Sequence, residues 1–478
     1  MKRNIFILLS IIIVLATMQS CEDILEEQPK TILSPAEFFK NPGSFESVIV
    51  GIYSGIPLLV PETHEMLIDI YGAPSSAAEQ ALPIYNNGPT PFFYNARSAW
   101  NSPYAIIKNA NFILAHLPDA PLDDTEKNQL IAEAKFLRAY AFFDLVQLFG
   151  GVPMPVQVGD TYESLKLPRT SQEDIYAFIL EDLNFSEANL PDNAVQTGRA
   201  YKIAATAMLA RVYATMAGNP LNQTANYRNA LDKALEVINS GRFSLQDDYA
   251  EVFHNIDYTS ESIWEKQYVA GRGGNPLHNL TSTAEGYRPI LVPAASFINS
   301  FSDGDRRREW GIKTNYKDPS GNVLPPFFHK FVDTTLIERN IGPSGSIIAY
   351  SIPIIRLAEM YLIAAESENK LNGPANAFQY INIVRERARI NKNDPTHVPN
   401  LSNLSSDQFH EAVINEYNWE LHVEGRGWQN MKRFDTFFRI QEARGNSLSM
   451  PIGEYNQTWP IPIEEITNNN IPQNPLYQ

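Results

Sequence analysis

The apolar positions of this chain recur mostly at steps of three and four residues, the spacing of one helix face. The clearest run is 125–148, where Leu130, Ala134, Leu137, Ala141, Leu145 and Leu148 fall on one side. Asp123 and Glu126 precede it at capping-box spacing. Gly150-Gly151 and then Pro153 close it, as helix C-termini prefer. A partner helix is predicted over 171–188. A second pair is predicted over 201–217 (Tyr201, Ala204, Ala205, Met208, Val212) and 227–239 (Tyr227, Ala230, Ala234, Val237). A third pair spans 354–371 and 375–388, separated by Asn372-Gly373-Pro374. Short strands are expected over 262–268 and 327–332. Between them lie three long stretches rich in Gly, Pro or aromatics, at 62–98, 271–293 and 315–351. Loops this long inside a compact protein are uncommon and are often functional.

Paired helices of about 15 residues, with small residues at the crossings and a Gly/Pro/Asn break, describe a tetratricopeptide-like unit. The spacing between pairs is irregular. The expected fold is therefore mostly α: degenerate helix pairs with loop-rich insertions and a few short strands. An Ala-rich helical protein without repeats explains each pair singly, but not the recurrence. The expected division is a leader at 1–20 and regions 21–260 and 261–478 of one structural unit.

The N-terminus has a different pattern. Lys2 and Arg3 precede a run, 5–16, that is almost wholly apolar. It is shorter than the roughly 20 residues a spanning helix needs, so it reads as the core of a signal peptide. Cys21, the only cysteine, follows directly. The segment resembles the bacterial lipobox, in which that cysteine is acylated, although Met18 and Gln19 stand where Leu and a small residue are usual. Ordinary cleavage leaving a free thiol is the alternative. Lipid chains contribute about 0.8 kcal/mol per buried CH₂, enough in combination to hold a protein on a membrane. Glu22, Asp23, Glu26 and Glu27 resemble the surface-export signal of Bacteroidetes lipoproteins.

Composition narrows the partners. The chain has 38 basic and 54 acidic residues, a net charge of −16. The leader holds two of the basic residues, so the remainder stands at −18. Nucleic acid is an unsuitable partner, because phosphate binding needs a basic footprint. With one cysteine no internal disulfide exists, and stability must come from a large core.

The segment at 132–153, AEAKFLRAYAFFDLVQLFGGVP, resembles the helix that typifies SusD/RagB-type outer-membrane nutrient-binding lipoproteins. The resemblance recurs in family order at 25–56, 100–117, 293–308 (PAASFINSFSDGDRRR), 354–366 (IIRLAEMYLIAAE), 415–434 (NEYNWELHVEGRGWQNMKRF) and 459–475 (WPIPIEEITNNNIPQNP). Tyr417 departs from the family's usual Arg, which puts a local ion pair in doubt. The resemblance implies a non-catalytic protein that captures a nutrient, an oligosaccharide above all. It implies delivery to a SusC-type TonB-dependent transporter in the outer membrane.

The eight histidines have no HExxH-type spacing, and no nucleophile elbow, dinucleotide loop or Walker loop occurs. No cofactor is expected. A surface glycoside hydrolase stays open, since it needs only two carboxylates; so does a scaffold that binds only protein. Glu420, Glu424, Arg426, Lys432 and Arg433 read as a helix end with internal ion pairs. Asp303, Asp305 and Arg306–Arg308 read as a cap with surface pairing or a transporter contact. Sugar recognition needs aromatic faces beside amides or guanidinium groups on loops. Trp100-Asn101 meets this, with Tyr94 and also Tyr85, Asn86 and Arg97 just before it, whereas Phe92 and Phe93 read as buried. The family resemblance adds Tyr287 and Arg288. The expected ligand residues are Trp100, Asn101, Tyr94, Tyr287 and Arg288, with Cys21 as the lipidation site. Packing of the helix end by Trp100 is the competing reading.

Overall fold

The computed structural model describes residues 38, 40–56, 72–74, 94–158, 166–255, 258–269, 275, 277–281, 291–339, 348–439 and 454–477. Cys21, Tyr287 and Arg288 lie outside them, as do Tyr85, Asn86, Phe92 and Phe93.

The protein is mostly helical. After α1 (Pro42–Ser54) and α2 (Tyr94–His116) comes the central helix α3 (Asp124–Phe149). Asp123 caps α3 by accepting from the Glu126 N–H at 2.9 Å. From Phe136 onward its side chains are buried almost without interruption, so α3 has no polar face there. It pairs with α4 (Gln172–Asn189). The buried Asp182 clamps the two together, accepting from Lys135 at 2.6 Å and from Arg138 at 2.8 and 3.0 Å. At the end of α3, Gly151 lies against the Thr170 carbonyl oxygen, which a Cβ would meet at 2.5 Å. That close approach requires glycine and seats the chain after α3 against the entry to α4.

The second pair is α5 (Lys202–Ala217) and α6 (Asn226–Asn239). Its crossing residues Ala204, Ala205, Ala230 and Ala234 are fully buried. The third is α7 (Leu357–Asn372) and α8 (Phe378–Ala388), followed by α9 (Ser406–Glu420), α10 (Gly427–Arg433) and α11 (Ile463–Asn469). Each pair packs on the next, α4 on α5 and α6 on α7. One hydrophobic core runs through them, from Phe45 to Ile471.

Among the described residues, six short strands form three antiparallel pairs: β1 (Gly72–Pro74) with β3 (Leu291–Pro293), β2 (Ser262–Lys266) with β6 (Ile352–Arg356), and β4 (Ile312–Lys313) with β5 (Phe327–Phe328). Two expectations need correction here. The third pair does not begin at Ile354, because 352–356 is strand and pairs with 262–266. The β-branched run Ile352-Pro353-Ile354-Ile355 is buried as a strand, and the helix starts only at Leu357. The strand expected over 327–332 is two residues long, because His329 and Lys330 turn inward to polar partners.

The acidic and basic residues of the C-terminal half also depart from expectation. Asp305 does cap the short helix Arg306–Gly311, accepting from the Arg307 N–H at 2.9 Å. Asp305 and Arg307 are not at the surface, however; both are essentially unexposed. They belong to a buried lattice with Glu261, Lys330, Arg356, Arg385, Arg387, Glu416, Glu420 and Glu424. Tyr417 donates to Glu366 at 3.2 Å, and Glu366 takes Arg433 as its ionic partner at 2.7 Å.

Candidate functional site: a cavity at the start of α2

A cavity of about 510 Å³ opens beside the first turns of α2. Trp100, Asn101, Tyr104, Lys108, Asn111 and Phe112 line one wall. Pro153, Pro155, Gln157 and Val158, from the segment after α3, form a second. Glu465, Asn469 and Ile471 of the C-terminal tail complete it.

Each wall is tied to α2 or α3 by hydrogen bonds. The Tyr104 hydroxyl donates to the Pro153 carbonyl at 2.6 Å. Asn111 donates to the Pro155 carbonyl at 2.8 Å and accepts from Arg138 at 2.6 Å. The tail is held where Trp459 N–H donates to the Leu148 carbonyl at 2.8 Å. An Arg97–Glu464 ion pair at 3.3 Å joins α2 to α11 at the surface. Burial, and secondarily Glu465, pushes the Tyr104 phenol well above 10, so it remains a neutral donor across the ordinary pH range.

The floor is apolar and the rim polar. Asn101, Lys108 and Gln157 are exposed. Trp100 lines the cavity but is only 3% exposed, wedged at 5.0 Å (ring centroids) between Tyr104 and Phe149. So enclosed a ring shows little of its face to the cavity, whereas Tyr104 and Phe112 are half-buried there. Tyr94 is the first residue of α2, and its side chain is not among those described. Sequence reasoning missed Lys108, Asn111, Pro155 and Gln157, and also Glu465 and Asn469. The tail residues stand more than 360 positions from Trp100, and no local pattern signals that approach.

This volume falls within the usual range of ligand cavities, and an apolar floor with a few convergent polar groups is the usual lining. Among the described residues no three His, Cys, Asp or Glu side chains are placed to hold a metal ion, and no helix is long and apolar enough to cross a membrane. The fold and cavity together define a helical-repeat scaffold that presents a ligand-sized cavity.

Comparison with known proteins makes this class specific. The family model described as "SusD family" matches residues 313–477. The model described as "Starch-binding associating with outer membrane" matches residues 48–214. SusD-like protein P2 of Formosa agariphila is 28% identical, covering 98% of this chain and 99% of its own. The starch-binding protein SusD of Bacteroides thetaiotaomicron is 24% identical over 75% of this chain and 74% of its own. Among solved structures, a SusD superfamily protein from Parabacteroides distasonis superposes with a TM-score of 0.78 at 23% identity, covering 91% of this chain and 98% of that one. A laminarin-binding SusD-like protein superposes with a TM-score of 0.74 at 23% identity, covering 91% and 99%. The chain belongs to the SusD/RagB family.

Proposed function

We propose that this chain is a non-catalytic, lipid-anchored surface protein that captures an oligosaccharide and delivers it to a TonB-dependent outer-membrane transporter. The cavity beside α2 is its ligand pocket. The observation that carries the reading is the pairing of ring faces with exposed amides in one cavity of sugar size. Sugars present C–H faces to aromatic rings, and their hydroxyls need amide or charged partners. The relatives named for starch and laminarin binding support the ligand class. The anchor rests on Cys21 and the apolar run ahead of it. Tyr94, Tyr287 and Arg288 remain part of the proposed ligand set, with Trp100 supporting the pocket from below.

The test is calorimetry of the protein lacking residues 1–21 against a panel of plant, host and microbial glycans. Ala105→Trp, on the exposed cavity wall, should fill this pocket and remove the binding it contributes, and Asn101→Ala should weaken it. Turnover of any glycan, or full affinity in Ala105→Trp, refutes the reading. The transporter is tested by mild detergent extraction at low salt, from which a barrel protein should co-purify.

A further inference from the structure

The fold surrounds its buried glutamates with guanidinium groups. Glu133 pairs with Arg199, Glu359 with Arg211, and Glu366 with Arg433. Glu261, Glu416 and Glu420 each pair with two or more arginines. A buried carboxylate is otherwise expensive, which explains the pattern. Glu265 breaks it. It sits on β2, is 3% exposed, and has no ion-pair partner among the described residues. Gln267 donates to its carboxylate at 2.8 Å, and Ser262 is its other side-chain partner. Burial pushes its carboxyl up to about 7.

Glu265 also lines a second cavity of about 510 Å³, separate from the one beside α2. The end of α1 (Tyr53, Ser54), the turn at 196–199 and the tail of β2 enclose it. Gln196, Thr197 and Gln267 supply amides and a hydroxyl, and Tyr53 and Tyr268 supply rings. The cations on this wall are already turned elsewhere. Arg199 is bound to Glu133 and Glu46, and Lys266 donates to the Ile56 carbonyl. A buried carboxyl facing a cavity without a counter-cation is a candidate ligand group.

We propose that this second cavity binds a neutral sugar ring whose hydroxyls donate to the Glu265 carboxylate, giving the protein a carbohydrate subsite distinct from the pocket beside α2. The inference rests on the proposed capture of oligosaccharide. A neutral ring is chosen because Gln196, Thr197 and Gln267 offer amide and hydroxyl partners and Tyr53 and Tyr268 offer ring faces, the lining that sugar hydroxyls and C–H faces need. Hydroxyl donors favour the ionised carboxyl, so binding releases a proton. The titratable groups around Glu265 are Tyr258, whose oxygen accepts from the Glu265 N–H at 3.0 Å, Tyr201 at the start of α5, Tyr53 on α1, and the Arg199–Glu133–Glu46 set. Burial raises all three phenols above their ordinary value, so Glu265 is the group that titrates near neutrality.

The experiment measures glycan binding at pH 6 and pH 8 by calorimetry. It uses the protein lacking residues 1–21, its Ala105→Trp variant, Glu265→Gln, and the double variant. In Ala105→Trp, residual binding should persist and strengthen about tenfold from pH 6 to pH 8, the change expected when only the ionised fraction is competent. Glu265→Gln should abolish that pH dependence, and the double variant should not bind. Binding that Ala105→Trp removes entirely and Glu265→Gln leaves unchanged overturns the second subsite and leaves the first intact. Binding that Ala105→Trp leaves intact and Glu265→Gln removes supports the second subsite and overturns the first. No binding to any glycan overturns both.

Discussion

The buried lattice around Glu420 makes a quantitative prediction. It holds five cations (Arg307, Lys330, Arg356, Arg385, Arg387) and five carboxylates (Glu261, Asp305, Glu416, Glu420, Glu424), so its formal charge is zero. Glu420 is its hub. It accepts from Arg356 at 2.6 Å, from Arg307 at 3.2 Å, and from Arg387. Burial works to raise its pKa, but Arg387, Arg356 and Arg307 outweigh burial and hold the carboxyl well below its ordinary range. Glu420→Gln keeps the shape and removes one charge, which leaves the lattice at +1 in a low-dielectric interior. Breaking a buried pair from one side costs about 3–5 kcal/mol. An amide oxygen still accepts a hydrogen bond, so the lower end applies, with the thermal midpoint falling on the order of 5 °C. Thermal and urea unfolding at pH 7 measure this against Glu309→Gln, an exposed ion-pair control expected within about 0.5 kcal/mol of the parent. Adding Arg387→Met to Glu420→Gln restores neutrality, so the double variant should be less destabilised than the two singles combined, by roughly 0.5–3 kcal/mol. The sign with pH follows. A depressed carboxyl stabilises the fold above its unfolded pKa and loses that contribution only as pH falls through its folded value, so the deficit should persist at pH 5. A Glu420→Gln protein as stable as Glu309→Gln would refute charge balance as the reason for the lattice.

Two buried groups outside the lattice should tilt stability with pH in opposite directions. Glu265, raised from 4.5 to about 7, penalises the fold increasingly between those values and fully above them, so Glu265→Gln should be more stable than the parent at pH 8, by up to about 3 kcal/mol, and equal to it below pH 4.5. His278 is fully buried with neither ring nitrogen bonded, and burial holds it at about 4. The parent should lose stability as pH falls from 6.5 towards 4, and His278→Phe should flatten that arm in urea titrations; an unchanged acid slope counts against the assignment. Trp100→Ala should lower stability by about 3–5 kcal/mol, because it empties a packed site between Tyr104 and Phe149, and a parent-like melt would mean the ring is not packed as described. Cys21→Ala should move the protein from the membrane to the soluble fraction, and unchanged membrane association would sink the lipid anchor.

Much of the helical scaffold is legible in the sequence because its information is local. Asp123, Glu126, Leu130, Ala134 and Gly150 belong to one helix and its two caps, and their spacing alone implies where it starts, faces and ends. The pair 202–217 with 226–239 is legible for the same reason. Ile354 reads as helical because Ile352-Pro353-Ile354-Ile355 runs directly into the helical Leu357 face, and a short apolar run fits either period. The cavity is less legible. Trp100 and Asn101 line it, but whether a Trp at a helix start is covered or bare depends on Phe149, 49 positions away.

The charged residues mislead for a deeper reason. A run such as Asp305-Arg306-Arg307-Arg308 has the composition of a surface turn, and only long-range partners reverse that reading. Arg307 reaches Glu420, 113 positions on. Burial of one member requires burial of the others, since a lone charge in the core is far more costly than a matched set. The lattice therefore forms as a unit, bringing β2, β6, α8 and α9 into one register. The same rule isolates Glu265. It stands on β2 four residues after Glu261, which has two arginines, yet it has none. Glu368, also buried without an ion pair, is held by Asn372 and Asn376, whereas Glu265 faces a cavity, where the proposed ligand would be its partner.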